Sequence, residues 1–98
     1  MLHPNHEENI KTIAVACGSV AKTSKAIEEL AELIRALVRD DEENLTEEIA
    51  DVEIMIEQIM FIYGIDRQHV DVYKNSKVRR TLERLGLPFE EVDNEPNC

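Results

Sequence analysis

"NLTEEIADVEIMIEQIMFIYG", residues 44–64, is apolar on nearly every side of a helix, yet Glu48, Asp51, Glu53 and Glu57 lie inside the run. A helix that is apolar all round is normally a buried one. Ionised carboxylates taken out of water cost several kcal/mol each unless something compensates them. The helix dipole favours acids near an N-terminus by only about 0.3–1 kcal/mol. That is too little to offset real burial. The acids also divide by direction. Glu48 and Asp51 are an i, i+3 pair and so are neighbours on one side, which Met55 and Ile62 continue. Glu53 and Glu57 point elsewhere, to an exposed rim or to basic partners.

Working outward, the chain reads as helices joined by short breaks. Residues 1–5 are a polar lead-in. A short first helix is expected from about Glu7 to Cys17, with Ile10, Ile13, Ala14 and Cys17 at core-facing spacing. Gly18 and Ser19 break it. A second helix follows from about Val20 to Arg39, with Ile27, Leu30, Ala31, Ile34, Leu37 and Val38 in one apolar stripe. "RDDEEN" (39–44) is the loop, and Asn44 with Glu47 forms a capping-box-like start for a third helix near Leu45. Gly64 supplies a left-handed end. Asp66 caps a fourth helix over about Arg67 to Leu85, which Gly86 and Pro88 stop. Nothing alternates as a strand does. The reading is an all-α bundle of about four helices: a single domain over residues 6–86, with an acidic tail over 87–98.

Composition bounds the function. The chain has 98 residues, no tryptophan, and two tyrosines and two phenylalanines, so its core is built from aliphatic residues and is small. Self-association would enlarge it. The net charge of −10 argues against nucleic acid and anionic membranes as partners, since both are gripped with Lys and Arg. Acids interrupt the longest apolar run every few residues, which excludes a membrane span, and no signal peptide is visible. Cys17 and Cys98 have no partners at zinc-like spacing. A cytoplasmic location fits.

Two groups of charged residues carry the chemistry. On the second helix Glu29 and Glu32 are again i, i+3, with Lys25 and Ala36 on the same side, roughly opposite the apolar stripe. Such acids alone describe a solvated face. Two helices that each offer an acid pair can instead converge four carboxylates, and oxygen-only ligands suit Mg²⁺, Mn²⁺ or Ca²⁺. Neither pair contains histidine, so a di-iron site fits poorly. His3, His6 and His69 read as surface or helix-end residues. On the fourth helix Lys74, Lys77, Arg80 and Arg84 share a side, with Arg79 flanking. They either pair with acids of the chain or grip polyphosphate.

"KAIEELAELIRAL" (25–37) followed by "EEIADVEIMIEQI" (47–59) resembles the MazG-like all-α nucleoside triphosphate pyrophosphohydrolases. Their pattern is Glu-Glu-x-x-Glu on one helix and Glu-x-x-Asp on the next. Here these are Glu28, Glu29, Glu32 and then Glu48, Asp51. The resemblance implies a helical core completed by dimerisation or tetramerisation. It implies hydrolysis of an NTP or dNTP between the α and β phosphates, giving the monophosphate and pyrophosphate. It implies Mg²⁺, with Mn²⁺ as a substitute, on Glu29, Glu32, Glu48 and Asp51, and Glu28 as an orienting acid. Lys25, Lys74, Lys77 and Arg80 would contact the substrate. The sequence departs from relatives ahead of the first acid pair: "ACGSVAKTSK" (16–25) keeps Gly18 but lacks an aromatic residue and a glutamine. The other class of function is a non-catalytic helical interaction module, with the third helix as an oligomer seam and the acids at its rim.

Overall fold

The computed structural model describes residues 1–90, apart from the side chains of residues 19–22. Among the described residues there are four helices and no strand. They are α1 (His6–Cys17), α2 (Ser19–Arg39), α3 (Glu42–Tyr63) and α4 (Arg67–Leu85). The chain is all-α, as its composition and spacing imply. It divides into two compact units, Met1–Ile65 and Asp66–Cys98. Val92, Cys98 and most of the acidic tail lie outside the described residues.

The helix ends follow local chemistry, with one departure from the expected starts. α3 begins at Glu42 rather than near Leu45, because Asp41 and not Asn44 caps it. The Asp41 carboxylate accepts from the Asn44 N–H at 3.3 Å, and Glu42 and Glu43 occupy the first turn, where the dipole favours acids. The loop shortens accordingly. Asp40 takes a left-handed conformation, φ 54°, to end α2. Gly64, at φ 64°, ends α3, and the Ile65 N–H donates to the Met60 carbonyl at 2.8 Å. A residue with a Cβ is strained at that φ. Asp66 caps α4 as expected, accepting from the Gln68 N–H at 3.0 Å.

In the first unit α2 and α3 form the most extensive contact, and α1 packs on both, more on α3 than on α2. The buried set is small. It comprises Ile10 and Ala14 of α1, Ala26 and Ala36 of α2, and Val52, Met55 and Gln58 of α3. Ile13 and Cys17 share the core-facing spacing of α1 but are exposed. His6 fixes the start of α1 to α3 through a 2.6 Å hydrogen bond between its Nε2 and Glu57 Oε2. Glu57 therefore has the basic partner that its direction suggested. Lys11 of α1 lies 6.0 Å from the Phe61 ring centroid, within cation–π range.

The orientation of α2 is the main correction to the sequence-based picture. Its apolar stripe reads as a core face, and its acidic side reads as the solvated one. The structure turns the helix the other way. Ile27 is 65% exposed, Ile34 61% and Val38 80%, with Leu30 and Leu37 also exposed. Ala36, on the acidic side, is fully buried. Ala26 and Ala36 add little bulk, so α2 approaches α3 closely along that side and carries Glu29 with it. An alanine buried at a helix contact leaves no room for a larger side chain. Ala36→Leu is expected to destabilise the unit by about 1–3 kcal/mol through overpacking, measured as a lower urea midpoint at unchanged helicity. An unaltered midpoint would mean that the α2–α3 contact is looser than described.

In the second unit no residue of α4 is buried. The Arg79 guanidinium stacks 4.2 Å from the Phe89 ring centroid, so the segment after Gly86 folds back against its own helix. Among the described residues, no helix is long and apolar enough to cross a membrane.

Candidate metal centre

The close approach of α2 to α3 brings carboxylates together. One oxygen each from Glu29, Glu48 and Asp51 lie within 4.8 Å of one another. Glu29 comes from the buried-side edge of α2, and its side chain is only 15% exposed. Glu48 and Asp51 come from successive turns of α3. Glu48 is half-buried, and its Oε2 is fully shielded with no hydrogen-bond partner. A shielded carboxylate oxygen without a partner carries its full desolvation penalty.

Electrostatics records the same crowding. Burial pushes the Glu48 carboxyl above its ordinary value, and the negative charges of Asp51, Glu29, Glu32 and Glu47 push it further. Lys25 is shifted upward by its hydrogen bond to Glu29, then by the charges of Glu28, Glu29 and Asp51. Its ammonium lies 3.2 Å from Glu29 Oε1 and 3.8 Å from Glu28 Oε2.

Of the four carboxylates expected to converge, the structure brings three together. Glu32 lies one turn beyond Glu29, and its carboxylate is engaged by the Arg35 guanidinium. Its charge still acts on Glu48. Glu28 is exposed beside Lys25. Lys74, Lys77 and Arg80 are all exposed on α4, and no salt bridge joins them to an acid among the described residues. Glu53 is exposed, consistent with a rim position. One polar residue at the core was not singled out from the sequence. Gln58 is 2% exposed, its Oε1 has no partner, and its Nε2 has only the Met55 sulfur at 4.0 Å. Its signal was present: an amide on the same side of α3 as Asp51, two turns on.

The donor set fits a hard divalent cation. All three groups offer oxygen, and the bonds of Mg²⁺ or Ca²⁺, about 2.0–2.6 Å long, can bridge oxygens spaced in this way. A cation would also partner the orphaned Glu48 Oε2. This acidic cluster is the one place among the described residues where metal-ligating groups gather.

Without metal, the raised Glu48 carboxyl has a consequence for folding. Between its ordinary and its raised value, the folded chain holds a proton that the unfolded chain has released. Stability in that window therefore falls as pH rises. The metal-free protein should gain stability as pH falls through the raised Glu48 value towards the ordinary carboxyl value, and Glu48→Gln should lose that part of the gain. Urea midpoints across this range test it, and parallel curves for the two proteins would contradict it.

The MazG nucleotide pyrophosphohydrolase domain matches residues 19–82, a span that holds α2, α3 and nearly all of α4. No curated protein and no solved structure gave a match. The span covers well over half of the chain and includes every carboxylate of the cluster. The chain belongs to the MazG nucleotide pyrophosphohydrolase family.

Proposed function

We propose that this protein is a Mg²⁺-dependent nucleoside triphosphate pyrophosphohydrolase that cleaves an NTP or dNTP between the α and β phosphates. The observation that carries the reading is the convergence of Glu29, Glu48 and Asp51 within 4.8 Å around a buried, unpartnered Glu48 oxygen. Family membership supports action on nucleotides, and the family in general depends on divalent metal.

The polyphosphate is strongly anionic and this chain has a net charge of −10, so the two meet only through positive charge. When bound, Mg²⁺ or Mn²⁺ supplies that charge and acidifies the attacking water. Glu29, Glu48 and Asp51 would hold it. Glu32 is the proposed fourth ligand, on release from Arg35. A carboxylate of the cluster takes the proton from the water as it attacks the α-phosphorus, and pyrophosphate leaves. Glu28 orients Lys25 towards the phosphates. Lys74, Lys77 and Arg80, all exposed on α4, are the further cations proposed to meet the polyphosphate. A nucleotide substrate and an exposed free thiol at Cys17 suit the cytoplasm.

The exposed stripe of α2 supports self-association as a dimer or tetramer. Covering a large aliphatic side chain stabilises by roughly 1.5–3 kcal/mol, and Ile27, Leu30, Ile34, Leu37 and Val38 form a row of them. The same stripe is what a non-catalytic interaction module would use, so activity must decide between the two readings.

Glu48→Gln and Asp51→Asn should each abolish pyrophosphate release from a panel of NTPs and dNTPs with Mg²⁺, while circular dichroism shows the helices intact. Full activity in either variant would remove the metal role, and silence of the wild type across the panel would favour the module. Ile34→Asp should lower the molar mass measured by light scattering towards that of a single chain. An unchanged mass would move the interface off this face.

A further inference from the structure

We propose that Lys25 is an exchangeable counter-ion of the acid cluster. It neutralises Glu29 in the metal-free protein, gives up that carboxylate when a divalent cation binds, and in doing so is released towards the substrate phosphates. The inference rests on the metal reading given above and extends it to the order of events at the site.

The geometry assigns Lys25 this role. It sits one helical turn before Glu29 on α2, and its ammonium is 3.2 Å from Glu29 Oε1. Glu29 is the sole α2 residue of the three-carboxylate group. A cation bound there would share the Glu29 carboxylate with the ammonium. Two positive charges at ion-pair distance from one carboxylate repel each other, so binding of one weakens the other.

Burial shows which of the two can move. The Glu29 side chain is 15% exposed, whereas that of Lys25 is 53% exposed. The carboxylate is held in the helix contact, and the ammonium stands at its solvent side on a flexible four-carbon stem. It also has somewhere to go. Glu28 Oε2 is already 3.8 Å away, on a side chain that is 70% exposed. Lys25 can shift from Glu29 to Glu28, or onward to a phosphate, without any repacking of α2 against α3. In this account the doubled acid Glu28-Glu29 has two jobs: the inner acid binds the cation, and the outer one receives the displaced ammonium.

The test is Mn²⁺ binding to the nucleotide-free protein at fixed ionic strength, read by calorimetry or by the Mn²⁺ paramagnetic resonance signal. Removing the competing charge in Lys25→Met should tighten Mn²⁺ binding by about two- to fivefold, the range expected for an exposed ion pair. Lys25→Arg, which keeps the charge, should bind as the wild type does. Lys25→Gln serves as the second neutral variant if Lys25→Met does not fold. Unchanged binding in the neutral variants would overturn the proposal and make Lys25 a bystander to the metal. Weaker binding would also overturn it, since Lys25 would then be a support that positions Glu29. A wild type that binds no Mn²⁺ at all would refute the metal reading itself and this inference with it. That result is distinct from a wild type that binds and variants that do not differ.

Discussion

Three carboxylates on two helices meet where those helices touch, and the rest of the first unit is arranged around that fact. Like charges in a partly shielded space repel, and each loses water that would otherwise solvate it. The crowding is visible in the Glu48 carboxyl, which burial and four neighbouring acids hold above its ordinary value. It is also visible in Lys25, drawn against Glu29 and Glu28. A fold organised only for stability would turn these acids to solvent. Here Glu29 and Glu48 are partly shielded beside the α2–α3 contact, with Asp51 exposed next to them, and in the proposed function a bound cation would offset the crowding.

That choice determines which side of α2 faces inward. To bring Glu29 to α3, the helix must present the side that bears Ala26 and Ala36, and those small residues allow the approach. The bulky aliphatic side of α2 is then left outward. In the proposed oligomer, the same rotation that assembles the site creates the apolar surface by which copies associate. In that proposal site and interface are two faces of one helix, and reorienting either would disturb the other.

Much of this was legible in the sequence, for physical reasons that can be traced to particular residues. Gly64, Asp66 and Gly86 mark helix ends through backbone conformation and side-chain capping, both of which act locally. The i, i+3 spacing of Glu48 and Asp51 places them on one side of α3 whatever surrounds it. What could not be read was the rotation of α2 about its axis. A helical wheel gives two sides, but which one packs inward depends on the surface it meets, and here that surface takes Ala26 and Ala36 rather than the aliphatic stripe. Asp41 and Asn44 are both good caps for α3 by residue type, and only the chain geometry chooses Asp41. The pairing of Glu32 with Arg35 and of Glu57 with His6 depends on rotamers and on the docking of α1. Gln58 lay unnoticed in an apolar run because an uncharged amide does not announce its burial as a carboxylate does.

In the proposed function Glu29, Glu48 and Asp51 form one divalent-cation site. Thermal unfolding of the wild type and of Glu48→Gln, each with and without millimolar Mg²⁺ or Mn²⁺, tests it most directly. A ligand that binds only the folded state must raise the melting temperature, by the equivalent of about 2.7 kcal/mol at a hundredfold excess over its dissociation constant. A site of this kind gives a clear upward shift for the wild type and little or none for Glu48→Gln. Equal shifts in the two proteins, or no shift in the wild type, would contradict it.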